Sequence, residues 1–397
     1  MHILTAQSDL DQPQLAVKAL LSRLGDMSPC FMVVAGSPAH HFSDAFLELK
    51  KLYPDTHMIG CSSYSGLFSE QGYCSSGLGR SLGIWALSDT GGSYGAAMRP
   101  YGNNPQLAAK EALEEAFLNS ERVAEMPALI WMHASPGHEE RVLEAIRDYV
   151  GPSVPVIGGA AAPSPEFEQQ AVACNGAVED DGVTIAVMFP SGRVGYSFHS
   201  GCSMAEPLGR VTKVMGRTLV EIDHQPAIDV YEQAVGVPIV NAIETQNWTI
   251  LPVGRVIGEH LNMPVFTLSI PIEVNDQGVN FLTELKVGEQ LYLMSGNESS
   301  LRGRGARVAE GAMKMLPEGR LGLKPIGALM VYCACCMQVV SNDLQQVVDS
   351  TTHVLGTETP VLTMFTYGEQ GPLLDSQNVH GNLMIASAVF YGEACSE

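Results

Sequence analysis

Three cysteines fall within four positions of the apolar run GALMVYCACCMQVV, residues 327–340: Cys333, Cys335 and Cys336. Thiols this close together serve one of three ends: ligation of a soft metal, reversible oxidation, or the filling of a core. Cys333 and Cys336 form a C-x-x-C, the usual first half of a zinc knuckle. Only Cys395 follows, so a zinc would draw its remaining ligand from elsewhere in the fold or from a second subunit. The run LMVYCACC suits a buried strand, which makes core packing the first reading and zinc binding or thiol redox sensing the second. A Cys333–Cys335 disulfide is disfavoured on such a strand, because alternate residues have Cα atoms about 6.5–7 Å apart, at the far limit for bridging.

Imidazole is the other metal-binding group in supply, with 11 histidines in the chain. None are clustered at metal-ligand spacing. His133 and His138 bracket a strand-to-helix junction, His224 occupies a turn in IDHQPA, and His380 sits beside GN near the last strand. For each, a hydrogen-bonded structural role competes with ligation, and a single axial imidazole would leave no spacing signature. His199 and Cys202 are the nearest approach to a nucleophile–base pair, but three positions along a strand face opposite ways. The chain has no G-x-x-x-x-G-K-[ST], H-E-x-x-H or G-x-S-x-G pattern. The expectation is therefore a protein that is not an enzyme. Two small-residue segments, GCSSYSG (60–66) and VIGGAAA (156–162), suit either close backbone packing or the approach of a ligand.

These residues need a scaffold, and the hydrophobic patterning supplies one. Apolar residues at helical spacing mark residues 14–24, 44–53, 105–119 and 138–151. Short β-rich runs lie between them at 30–37, 81–88, 128–135 and 155–161. Strands dominate from about 170 to 200. Beyond 205 come a strand–turn–helix over 217–236, a helix over 299–316, the cysteine strand, a helix over 342–356 and a closing strand over 380–393. This alternation indicates mixed α/β layers, with sheets packed by helices in two lobes, divided as 1–205 and 206–397.

The bulk properties narrow the role further. With 22 basic and 43 acidic residues the formal net charge is -21, which repels phosphate backbones and argues against nucleic-acid and anionic-membrane partners. No apolar run reaches the length of a membrane span, and the N-terminus MHILTAQSDLDQPQ lacks the regions of a signal peptide. Nine cysteines, an odd number, fit reduced thiols in a cytoplasm. A homodimer is compatible with all of this, though no motif requires one.

The order of four blocks adds a resemblance. GCSSYSG, VIGGAAA and DDGVTIAVMFPSGRVGYSFHSGC resemble the FIST N domain. GRVTKVMGRTLVEIDHQPAIDVYEQ is similar to the segment leading into FIST C, and GALMVYCACC, PVLTMFTYGEQGP and VHGNLMIASAVF are similar to its closing motif. The resemblance implies a sensory protein for small ligands. A chain without a fused kinase or cyclase is closest to the haem-binding, nitric-oxide-sensing branch, which reports to a separate histidine kinase in biofilm or cyclic-di-GMP control. In that reading His224 and His380 are the candidate haem ligands. The sequence departs from the family pattern at both: His224 stands where glycine is common, and the His-Asn pair has become His380-Gly381-Asn382. The alternatives are a sensor for another small ligand, such as an amino acid derivative, or a zinc or thiol redox sensor at Cys333, Cys335 and Cys336.

Overall fold

The computed structural model describes residues 1–163, 169–316, 323–373 and 377–393. Cys395 lies outside them. The expected mixed α/β architecture is present, built on three six-stranded sheets and an eight-stranded one.

The first sheet runs in the order His2–Ser8, Ser81–Ser88, Phe31–Ser37, His57–Ser62, Val172–Cys174, Ala177–Glu179. Its strands are apolar on both faces, and alternation decides which core each residue joins. Met32 and Val34 meet the helices Pro13–Leu24 and Ala39–Leu52 through Leu20, Phe42 and Phe46, whereas Phe31, Val33 and Ala35 face inward. The second sheet repeats the arrangement. Its order is Gln377–Gly381, Glu369–Leu373, Val156–Ala160, Leu129–Ala134, Gly182–Phe189, Ser93–Pro100. Ile130 and Met132 pack under the helices Pro105–Asn119 and Glu139–Val150, while Leu129 and Trp131 turn to the interior.

The third sheet has the order Arg193–Ser200, Met384–Glu393, Leu323–Cys333, Val361–Thr366, Leu67–Ser69, Gly72–Cys74, with the helices Arg304–Lys314 and Leu344–Leu355 on its outer side. The inner faces of all three sheets share one core, in which the Trp85 and Phe390 rings stand 4.9 Å apart. The fourth sheet, from Ser203–Met215 to Gln290–Ser295, carries the ribbon Val253–His260/Met263–Ser269 and the short helices Ala227–Val235 and Ile239–Glu244.

Residue 205 divides the chain but not the sheets. Leu67–Ser69 pairs with Val361–Thr366, Arg193–Ser200 with Met384–Glu393, and Glu369–Leu373 with Val156–Ala160. The two halves are therefore joined by backbone hydrogen bonds as well as by side chains. Among the described residues no helix is long and apolar enough to cross a membrane.

Two local expectations change. The helix expected over 299–316 is broken at Gly303 into Glu298–Arg302 and Arg304–Lys314. The cysteine strand stops at Cys333, and Ala334–Val339 is helical. An unbroken apolar run carries no period that separates a buried strand from a buried helix, so the sequence alone did not mark the switch.

Candidate functional site

The motif blocks converge at one end of the second and third sheets. Gly158 and Gly159 let strands close on each other there. A β-carbon on Gly158 would stand 1.9 Å from the Met132 carbonyl oxygen, and one on Gly159 would stand 2.6 Å from the Thr366 side chain. This is the close-packing use of the pair. The GCSSYSG segment is a tight corner whose hydroxyls are spent internally: Ser62 Oγ donates to the Ala162 carbonyl at 2.9 Å, and Ser63 Oγ accepts the Phe365 N–H at 2.8 Å.

At this convergence Cys333 ends its strand opposite Thr366, and Cys335 and Cys336 lie in the first turn of the following helix. Cys333 and Cys336 are buried and Cys335 is half-buried. Cys333 Sγ accepts the Leu383 N–H at 3.2 Å, and the Cys335 and Cys336 thiols both donate to it. Buried Glu369 stands beside them, accepting from Thr366 Oγ1 at 2.9 Å and from the Met384 N–H at 3.2 Å. Burial opposes charge on every member. The hydrogen bonds aimed at Cys333 outweigh it there and hold that thiol well below its ordinary range. For Glu369, burial and then the Cys333 sulfur push the carboxyl well above its usual value. Within the cluster the surroundings thus favour the charged form more at Cys333 than at Cys335, Cys336 or Glu369. Thiols suit zinc chemically, yet among the described residues the three sulfurs are not gathered within 4.8 Å of one another. Zinc held here requires Cys335 and Cys336 to close around Cys333.

A second cluster lies beside the first, on the seam between the second and fourth sheets. Helix Glu139–Val150 begins with two acidic residues, where the helix dipole favours negative charge. Arg217, from the turn before Thr218–Ile222, reaches both: its Nη2 lies 3.0 Å from Glu139 Oε2 and 2.7 Å from Glu140 Oε2, and its Nη1 donates to the Leu282 carbonyl. Glu140 Oε1 also accepts the Glu284 N–H at 2.9 Å and pairs with His380 Nδ1 at 2.8 Å. His380 is buried on strand Gln377–Gly381; its Nε2 has no hydrogen-bond partner and stands 3.9 Å from Glu139 Oε1. Arg255, also buried, donates to the carbonyls of Glu284 at 2.8 Å and His380 at 3.1 Å.

Burial alone would raise the Glu140 carboxyl, but His380 and then Arg217 outweigh it and hold it far below the ordinary carboxylate range. A depressed folded-state value means that the contribution is complete above the unfolded value of about 4.3 and is lost as pH falls through the folded value. The difference in unfolding free energy between wild type and Glu140→Gln is therefore expected to be constant near neutrality and to shrink as pH falls below about 4. Urea unfolding at stepped pH checks this; a difference that grows in acid contradicts the assignment.

A cavity of about 500 Å³ opens on the seam. Its walls come from helix Glu139–Val150, the ribbon Val253–His260/Met263–Ser269 and strand Gln377–Gly381, with Arg141, Arg147, Arg255 and Lys286 facing Glu140 and Glu284. Of the residues singled out from sequence, His380 belongs to this seam and the three cysteines to the neighbouring cluster. His224 belongs to neither. It is exposed in the turn Asp223–His224 with φ 62°, a conformation that explains why glycine suits that position, and its N–H donates to Thr212 Oγ1 at 2.9 Å. Glu139, Glu140, Arg217 and Arg255 went unremarked in the sequence. An acidic pair in a first helical turn is ordinary, and the arginines that meet it are remote in the chain.

Comparison with known proteins gives the domain content. The FIST N domain model matches residues 30–225 and the FIST C domain model matches residues 227–372. No curated protein matches the chain. Among solved structures, cyanuric acid hydrolase from A. caulinodans is similar over 99% of both chains at 9% identity and a TM-score of 0.36. PurLQS from Thermotoga maritima is similar over 98% of this chain and 72% of that one, at 9% identity and a TM-score of 0.23. Likenesses this weak carry no argument about chemistry.

Proposed function

The chain belongs to the FIST family, whose domains sense small ligands in signal transduction, and from that premise we propose that it takes a small polar ligand in the seam cavity and passes the signal on by contact. The observation behind this reading is the cavity itself: about 500 Å³, bounded by elements from both halves of the chain and lined by charges of both signs. A ligand carrying both an acidic and a basic group, such as an amino acid derivative, suits that lining. Its binding would alter how helix Glu139–Val150 and the ribbon engage, which is the kind of two-state change a partner can read. A separate histidine kinase in the cytoplasm is the partner this reading assigns.

Haem as the ligand, with nitric oxide as the signal, is the finer form of the proposal and rests on the order of the motifs. The two candidate imidazoles do not fit a porphyrin as they stand. His380 has Nδ1 engaged by Glu140, and the Gly368 backbone lies so close that a β-carbon on it would stand 2.3 Å from Nε2. His224 sits on an exposed turn, with exposed residues on either side of it.

One panel separates the forms. Thermal-shift measurements with small zwitterions should find compounds that raise the melting temperature, with the shift lost in Arg255→Ala and Lys286→Ala. Hemin titration followed by optical absorption reads the haem form directly. A shift with zwitterions and no Soret band supports the polar-ligand form; a Soret band that responds to nitric oxide replaces it with the haem form. The absence of both responses overturns the sensor reading.

A further inference from the structure

The His380 imidazole is unusual in being held on one side and free on the other. Nδ1 lies 2.8 Å from Glu140 Oε1, an acceptor, so Nδ1 carries a proton, and in the neutral imidazole that an ion would meet Nε2 presents a lone pair. That lone pair is buried and has no partner, on a ring whose side chain is 1% exposed. Glu139, equally buried at 1%, keeps Oε2 for Arg217 and the Gly137 N–H and leaves Oε1 facing Nε2 at 3.9 Å. Gln370 stands directly opposite His380 in the strand ladder. Its Nε2 donates to the Gly368 carbonyl at 3.1 Å, and its Oε1, also fully buried, has no partner. Residues directly opposite in an antiparallel pair bring their side chains together on one face. A buried, unpartnered imidazole nitrogen thus stands 3.9 Å from a carboxylate oxygen, with a second unpartnered oxygen on the residue across the ladder, an arrangement that costs free energy unless something electropositive joins them.

We propose that His380 Nε2 and Glu139 Oε1, with Gln370 across the ladder from His380 as a third donor, form a binding site for one divalent first-row transition metal ion of the zinc or cobalt class. A separation of 3.9 Å between donors suits an ion about 2.0–2.2 Å from each. Glu140 takes the role of the carboxylate behind a metal-binding imidazole, fixing its tautomer and raising its basicity. Glu139, Glu140 and His380 are also the group whose ligating atoms lie within 4.8 Å of one another among the described residues. Gly368 contributes no side chain at this point: a β-carbon there would stand 2.3 Å from Nε2, so glycine keeps the approach clear enough for a bare ion while excluding a macrocycle. The site adjoins the cavity, sharing His380 and Glu140 with its wall, and the metal titration reads it without any cavity ligand present.

The test uses the full chain after chelator treatment, titrated with cobalt and, by calorimetry, with zinc. One equivalent of cobalt is expected to bind with d–d absorption and without the intense charge-transfer band of thiolate ligation, which separates this site from Cys333, Cys335 and Cys336. Glu139→Gln and Glu140→Gln should each weaken zinc binding about tenfold or more. Gln370→Glu, which adds an anionic donor and retains the first two, should tighten it. This variant keeps the test decisive should the glutamate replacements disturb folding. No binding, binding with thiolate charge transfer alone, or an affinity that Glu139→Gln and Gln370→Glu both leave unchanged overturns the proposal.

Discussion

Arg217→Ala should destabilise the protein by about 3–5 kcal/mol, the range for breaking a buried ion pair from one side. Its guanidinium is the cation shared by Glu139 and Glu140, and the side chain is 18% exposed against 1% and 20% for the two carboxylates. Burial would lower the Arg217 pKa, but Glu139 and Glu140 push it above its ordinary value, so the three charges hold one another in place. Removing the arginine leaves two carboxylates side by side at the start of one helix without the guanidinium they share. Arg217→Lys should recover part of the loss, since one ammonium cannot reproduce the fork that serves both carboxylates and the Leu282 carbonyl. Adding Glu139→Gln and Glu140→Gln to Arg217→Ala should recover more, because the stranded charge is then gone. Equilibrium urea unfolding of the series decides it. A loss under about 1 kcal/mol for Arg217→Ala would place the pair among ordinary surface bridges and end the argument.

Trp85→Ala is expected to cost about 3–5 kcal/mol for a different reason, the loss of a large fully buried ring. Trp85 lies on the interior strand Ser81–Ser88, opposite Thr5 on one side and Val33 on the other, and its ring joins the first sheet to Phe390 of the third. No neighbouring side chain can collapse into the space without pulling a sheet with it. The indole Nε1 has no hydrogen-bond partner, so Trp85→Phe removes an unsatisfied donor together with some volume and should cost clearly less than alanine. Equal losses for the two replacements would show that the nitrogen, rather than the ring, sets the cost.

How far the sequence could be read depended on range. Elements with a clear period were legible: the helix expected over 105–119 is Pro105–Asn119, and that over 14–24 is Pro13–Leu24. Both are amphipathic and sit on a sheet face, so local spacing and tertiary burial agree. Where burial is complete the pattern goes silent, which is why the strand through Val331 and Tyr332 gave no notice of turning helical after Cys333. The site was legible in part. The thiols announced themselves by proximity in sequence, and His380 by its place in a motif. The groups that give His380 its setting did not, since Glu140 is 240 residues away and Arg217 meets Glu139 across 78. Such pairings are products of the sheet order, and only the assembled sheets display them.

That sheet order also governs how the polypeptide must come into being. The segment Leu67–Ser69 leaves the ribosome almost three hundred residues before its neighbour Val361–Thr366 is made. The strand Arg193–Ser200 likewise waits for Met384–Glu393. A nascent chain therefore carries unpaired apolar edges over these intervals, the circumstance in which chaperone shelter matters most. A piece ending before residue 377 would lack strands of two of the three six-stranded sheets.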